Sequence, residues 1–340
     1  MSPRSSWGAC VLGVAALFLW GRGGEAGREA PSPPTFAFFS YLQSGKPTPA
    51  LVAYSPTNYD PRPGKQRKVP TAASLQEDLK ALRPAFDGLI LYGYDRQVTP
   101  IILAEAERQE YRAVLLGIWN PKSKRELEDT AELVKRYHKK LALAVSLGNE
   151  GLAFNRYTME DLKRAETQLQ RLLGPEAQVP LCTSEPLAEW AQRPLREFGS
   201  FLAVNVHPVY DKPDLGPVDA AAWARGRARA IAELAGKPVL VKETGFPNGG
   251  NKKFSPTAQR QFWEAYLEKG ILEKTKGRAK TWVSFAAAFE AYSLPWKAEE
   301  TGLPVEGYWG LMNPTREPFP AFEVWRRFRE RPGGGMPGNK

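Results

Sequence analysis

The sequence predicts an α/β fold of one domain, a (β/α)8 barrel of the TIM type spanning residues 51–330. Two observations carry that prediction. Eight short apolar runs, each bounded by turn formers, alternate with amphipathic helical stretches. The runs are continuously apolar rather than alternating, which describes strands buried on both faces and therefore paired in parallel under helices. Eight such units in one domain of this length match a closed barrel. An open doubly wound sheet is the alternative, weakened because no Gly-x-Gly-x-x-Gly follows the first strand.

Each element has its own warrant. Leu51 to Tyr54 reads as the first strand, and Thr71 to Leu82 as an amphipathic helix that Pro84 ends. Gly88 to Tyr92 is the second strand, with a helix from Pro100 to Tyr111. Ala113 to Trp119 is the third, followed by a helix from Ser123 to His138. Leu141 to Glu150 is the fourth strand, and Met159 to Leu173 its helix. Val179 to Thr183 makes a short fifth strand, with Leu187 to Phe198 helical behind it. Phe201 to His207 is the sixth, and an Ala/Arg-rich helix runs from Val218 to Ala235. The seventh leads from Pro238 into Glu243, with a helix from Thr257 to Lys269. Thr281 to Phe289 is the eighth, and Phe319 to Arg329 the closing helix.

The flanks read differently. Arg4 precedes an uncharged, mostly apolar stretch from Ser5 to Gly21, and Gly24-Glu25-Ala26 offers small residues at a cleavage site. That is the layout of an export signal over residues 1–26, too short for an ordinary membrane helix. A secreted, periplasmic or cell-envelope protein is expected, with no membrane span once the signal is cleaved; an uncleaved anchor is the alternative. Residues 27–50, with Pro31-Ser32-Pro33-Pro34 and Lys46-Pro47-Thr48-Pro49, read as a Pro-rich lead-in, and residues 331–340 as a disordered tail.

Composition excludes several function classes. The net charge is +10, but the basic residues are scattered along helical segments and lack interleaved aromatics, so nucleic acid is not an expected partner. Cys182 is the only cysteine outside the signal, which leaves no intramolecular disulfide, and two histidines give little scope for a Cys/His zinc site. Neither metal nor cofactor is expected. Without an evident repeat or coiled coil, a monomer is the default.

In a barrel the C-terminal strand tips converge on one mouth. Here the tips carry Tyr54, Tyr92, Trp119, Asn149-Glu150, Asn205 and His207, Glu243, and Glu290 just past the eighth strand. Glu150 and Glu243 each end a fully apolar strand, and we expect them to face each other across one cleft. Burial disfavours the charged carboxylate, so a pair flanked by aromatics can split into one ionised and one protonated member. Cleavage of a glycosidic bond requires that division of labour.

The residues then resemble a family. Asn149-Glu150 and Glu243-Thr244-Gly245-Phe246-Pro247-Asn248-Gly249-Gly250 look like the two signatures of glycoside hydrolase family 17, the β-1,3-glucanase and glucanosyltransferase family, with Phe246 where tryptophan is usual. Leu91-Tyr92, Leu116-Gly117-Ile118-Trp119, Ala203 to Pro208, Pro295-Trp296-Lys297 and Glu306 to Leu311 follow in the order seen in bacterial and fungal members. The resemblance runs from about Tyr54 to Leu311. It implies a retaining mechanism without metal on β-1,3-glucan, with Glu150 as acid/base, Glu243 as nucleophile and Asn149 on the sugar 2-hydroxyl. By the same resemblance, His207 orients Glu243, Tyr54, Tyr92 and Trp296 are candidates for ring stacking, and Lys297 lies near the substrate subsites. Many relatives have two acids before Pro-Trp-Lys, where this chain has Tyr292-Ser293-Leu294, which puts the detailed glucan specificity in question. Alternatives are a transglycosylase, a non-catalytic glucan-binding envelope protein, and a barrel enzyme for phosphorylated metabolites, which would need a phosphate loop absent after strands seven and eight.

Overall fold

The computed structural model describes residues 36–62, 64, 67–275 and 281–330; the signal, the start of the lead-in and the tail expected from the sequence lie outside the described residues. Seven parallel strands run in sequence order: β1 (Leu51–Ala53), β2 (Gly88–Ile90), β3 (Ala113–Ile118), β4 (Ala142–Asn149), β5 (Leu181–Pro186), β6 (Leu202–Asn205) and β7 (Val239–Glu243). They are buried almost throughout, as continuously apolar runs require.

The eighth strand closes the ring and differs from the single run expected. It forms two pieces, β9 (Trp282–Ser284) and β10 (Ala287–Ala288). The first pairs with β7 through Val239 and Val283, the second with β1 through Leu51 and Ala287. The break at Phe285-Ala286 lets one segment serve two neighbours, so the sheet returns on itself as a barrel. An unexpected strand, β8 (Leu272–Lys274), runs antiparallel to β9, reached through Gly270 in the left-handed region.

Helices follow the strands. They are α2 (Ala72–Leu82), α3 (Thr99–Arg108), α4 (Lys124–Tyr137), α5 (Met159–Leu173), α8 (Pro217–Ala235), α9 (Pro256–Leu267) and α11 (Pro320–Glu330). Their starts are written locally. Thr71, Ser123 and Ser255 accept from the third residue on, and Thr158 with Asp161 forms a full capping box. The helix expected over 187–198 is instead a 3-10 turn (Leu187–Ala191) and a short α6 (Arg193–Glu197), divided where Gln192 is extended ahead of Pro194. Two short helices, α7 (Pro208–Asp211) and α10 (Pro295–Thr301), lie in the loops after β6 and β10.

The lead-in is not irregular throughout. Residues 37–42 form helix α1 (Ala37–Leu42), whose Phe38 and Leu42 are fully buried. Its aromatic rings lie 5.6–6.0 Å from Phe201 and 5.6 Å from Trp282, residues at the N-terminal ends of β6 and β9. Covering the bottom of the barrel outweighs the Pro-rich composition on either side. No helix among the described residues is long and apolar enough to cross a membrane.

Candidate active site

Two irregularities in the sheet build the site. Between β6 and β7 the register slips: Val204 pairs with Val241 but Asn205 pairs with Glu243. The extra residue is a bulge, so Lys242 and Glu243 both serve the mouth although a regular pleat would send them to opposite faces. Between β4 and β5, Ser146 pairs with Cys182 and Asn149 with Ser184, which leaves one residue too many on β4. Gly148 takes up that surplus at φ 84°, and Glu150 itself sits at φ 55°, held by its N–H on the Ser184 carbonyl at 2.7 Å. A non-glycine residue there costs about 1–3 kcal/mol, sustained by the surrounding contacts.

Glycine is required at 148 for space as well. A Cβ there would stand 2.2 Å from the Tyr157 hydroxyl, which accepts from Gly151 N–H at 2.9 Å and donates to Glu185 at 3.0 Å. Gly148→Ala is therefore expected to cost about 3 kcal/mol. A denaturant midpoint within error of the wild type would contradict it. Gly245 in the second signature has a comparable reason: a Cβ there would meet the Phe289 carbonyl at 2.4 Å, where β7 passes the end of β10.

Glu150, His207 and Glu243 each bring one oxygen or nitrogen to within 4.8 Å of the others. Glu243 is 4% exposed and accepts from Lys242 Nζ at 2.6 Å on Oε1 and from His207 Nε2 at 3.2 Å on Oε2. A carboxylate only accepts, so Nε2 of His207 carries a proton. Asn205 Nδ2 donates to Glu150 Oε1 at 2.9 Å and to Asn149 Oδ1 at 3.3 Å, while its Oδ1 accepts from the Ser184 hydroxyl at 2.7 Å. Lys242 Nζ donates again to Asn149 Oδ1 at 2.8 Å and lies 4.3 Å from the centre of the Tyr92 ring.

This network drives the two carboxyls apart. Burial acts to raise Glu243, but the Lys242 charge and the His207 bond and charge outweigh it and hold it at about 2. Burial first, then the charge of Glu243, raises Glu150 above the usual carboxylate range. Burial works to lower His207, and its bond to Glu243 with the charges of Glu243, Glu150 and Glu306 raises it overall. Burial and the charges of Glu243 and Glu290 keep the Tyr92 hydroxyl protonated, although it makes no hydrogen bond of ordinary geometry.

The same three side chains have the spacing of a metal site. Lys242 stands 2.6 Å from one Glu243 oxygen and His207 bonds the other at 3.2 Å, so both oxygens already have a donor.

Of the other residues expected from the sequence, Glu290 and Lys297 pair at 2.6 Å. Burial, opposed by Lys297, raises Glu290 to about 7. Trp296 is partly buried against the core, with its indole N–H unpartnered. Tyr54 does not join them. It is 2% exposed, donates its hydroxyl to Asp78 at 3.0 Å and packs on Tyr292, so ring stacking on a sugar does not suit its placement. Trp119, 47% exposed, stands at the mouth with the Arg156 guanidinium 4.0 Å from its ring centre. Phe246 is buried between Phe254 and Phe262, so phenylalanine in place of tryptophan affects packing against α9. Tyr292, Ser293 and Leu294 are likewise interior, with the Tyr292 hydroxyl on the Asp78 carbonyl.

Two residues escaped the sequence reading. Lys242 was counted within an apolar run, although a charge in a buried strand must find partners. Glu185, fully buried at the end of β5, accepts from Leu152 N–H and Tyr157 and so fixes the loop that carries Glu150. The strand expected to end at Thr183 continues past it.

Residues 52–310 match the model of the BtgE/BtgC glycoside hydrolase domain. The chain belongs to that family. A glycosidase, the enzyme class expected from the sequence, is the class of the family. A probable β-glucosidase btgE of Aspergillus flavus is 28% identical over 136 residues, which cover 38% of this chain and 20% of that protein; its Aspergillus oryzae counterpart matches equally. The match thus spans only a fifth of these curated relatives. Among solved structures, the glycoside hydrolase family 17 β-1,3-glucanosyltransferase of Rhizomucor miehei superposes with a TM-score of 0.61 at 16% identity, over 83% of this chain and 98% of that one. CJP38, a β-1,3-glucanase and pollen allergen of Cryptomeria japonica, gives 0.59 at 14% identity over 80% and 97%. At these identities the likeness establishes the barrel fold, and it agrees with the resemblance to family 17.

Proposed function

We propose that this chain is a retaining enzyme of β-1,3-glucan, in which Glu243 is the nucleophile and Glu150 the general acid and base. The observation that carries the reading is the approach of a Glu150 oxygen to within 4.8 Å of a Glu243 oxygen. Retention uses carboxyls about 5–5.5 Å apart, whereas inversion needs about 6.5–9.5 Å to admit a water. The opposite displacement of the two pKa values supports the same roles. Glu243 attacks the anomeric carbon as the glycosidic C–O bond breaks, and Glu150 gives its proton to the departing oxygen. Glu150, now a base, takes a proton from an incoming hydroxyl, which displaces Glu243 with the original anomeric configuration restored.

The incoming hydroxyl can belong to water or to a second sugar, giving a hydrolase or a glucanosyltransferase. Exposed rings at the strand-tip loops, Trp119, Phe154, Tyr210 and Tyr308, suit the apolar faces of sugars in either case. Incubation with linear laminari-oligosaccharides tests the proposal. We expect shorter β-anomeric products, with longer ones in addition if transfer competes. Binding without turnover would favour a non-catalytic glucan-binding protein and defeat the proposal.

A further inference from the structure

We infer that Lys242 is a positioning residue of this site: from within the barrel it fixes the Asn149 amide with its nitrogen outward and holds Glu243 ready to attack. The inference rests on the proposed roles of Glu243 and Asn149. Lys242 is 1% exposed, so it acts on substrate only through its partners.

The geometry is specific. An ammonium only donates, so the Asn149 atom 2.8 Å from Nζ must be the carbonyl oxygen. Asn205 presents its amide nitrogen to that same oxygen, and its own orientation is set by the Glu150 carboxyl, which accepts from Nδ2. Turning the Asn149 amide over would set its NH2 against two donors. Its Nδ2 bonds no protein group among the described residues and is not enclosed, which leaves it free to donate to a sugar hydroxyl. The second Lys242 bond, 2.6 Å to Glu243 Oε1, and the Tyr92 ring 4.3 Å away complete the surroundings of Nζ. The β7 bulge makes this possible, because it lets a residue adjacent to the nucleophile share its side of the sheet.

The titratable groups around this position come from several elements. Glu243 shares the strand, Glu150 follows β4, His207 follows β6, Glu290 follows β10 and Tyr92 follows β2, while Cys182 of β5 also feels the Lys242 charge. Lys242 and His207 both stand on Glu243, and Lys242 makes the shorter contact, 2.6 Å against 3.2 Å, so its removal acts first on that carboxyl.

The test compares Lys242→Met with wild type in the full chain, following the Glu243 side-chain carboxyl by carbon NMR, assigned with Glu243→Gln. The Glu243 midpoint is expected to rise by roughly 1–3 pH units. The acidic limb of kcat/KM on laminari-oligosaccharide should move up with it, and kcat/KM at neutral pH should fall roughly 10²-fold. A folded variant with both midpoint and limb unchanged overturns the inference. If Lys242→Met does not fold, Lys242→Gln receives the same measurements. If neither folds, the wild-type Nζ protons must exchange slowly with water and correlate with the Asn149 side chain; fast exchange overturns the inference. Wild-type protein without turnover would count against the proposed function alone, because the NMR titration requires none.

Discussion

Glu243→Ala is expected to lower turnover of β-1,3-oligosaccharides by roughly 10⁴-fold or more, the scale seen when a covalent nucleophile is removed. The side chain is buried between Lys242 and His207, and its two oxygens are oriented by a bond to each. Alanine leaves a small cavity in the place where the carboxylate would attack. Azide or formate can enter that cavity and attack from the same face. The product should then carry the α configuration, opposite to that of the wild type, and would be read directly from anomeric proton signals. Retention of full activity, or rescue with the original anomer, would remove Glu243 from the nucleophile's role. The chain should fold in either case. The deletion leaves Lys242 with Asn149, and His207 remains packed between Phe289 and Trp309 at 5.3 Å from each.

Glu150→Ala should divide substrates by leaving group. A glucan alkoxide cannot depart without a proton, so its cleavage is expected to fall by roughly 10²–10⁴-fold. An activated aryl glycoside needs no proton for departure and should form the glycosyl-enzyme at near wild-type rate, after which the intermediate accumulates. Equal losses on both substrates would exclude acid catalysis by Glu150. The same residue sets the alkaline side of the pH profile. Glu243 must be ionised, and at about 2 it is so at all but very acid pH. Glu150 must be protonated, and its raised pKa extends the active range upward until the proton is lost. Activity on glucan should therefore rise at very low pH and fall as Glu150 ionises. An alkaline limb persisting in Glu150→Gln on an aryl glycoside would belong to His207, which bonds Glu243, or to Glu290, which burial pushes up to about 7 beside Lys297.

The barrel and the two glutamates at its mouth were legible because both depend on short-range patterns. A run such as Val239 to Val241 cannot be anything but buried, and the acid that ends it must stand at the edge of the sheet. Glu150 after Leu147-Gly148-Asn149 follows the same logic. The aromatic tips were less legible. Tyr54 occupies a tip position as Tyr92 does, yet Asp78 from α2 takes its hydroxyl and turns it into the wall. That partner lies 24 residues away, and no local pattern reveals it.

By itself, then, the sequence determined the alternation of the eight strand regions with their helices, the barrel class and the two carboxyls at strand ends, since hydrophobic period and turn chemistry act within a few residues. Only the tertiary structure decided how those carboxyls are tuned. A period-2 strand places Lys242 and Glu243 on opposite faces, and the bulge against Asn205 that reunites them arises from pairing between strands. Contacts made by chain segments far apart, such as Lys242 with Asn149 and Asn205 with Glu150, then set charge and orientation. Such contacts follow from the register of neighbouring strands, which the composition of neither strand specifies.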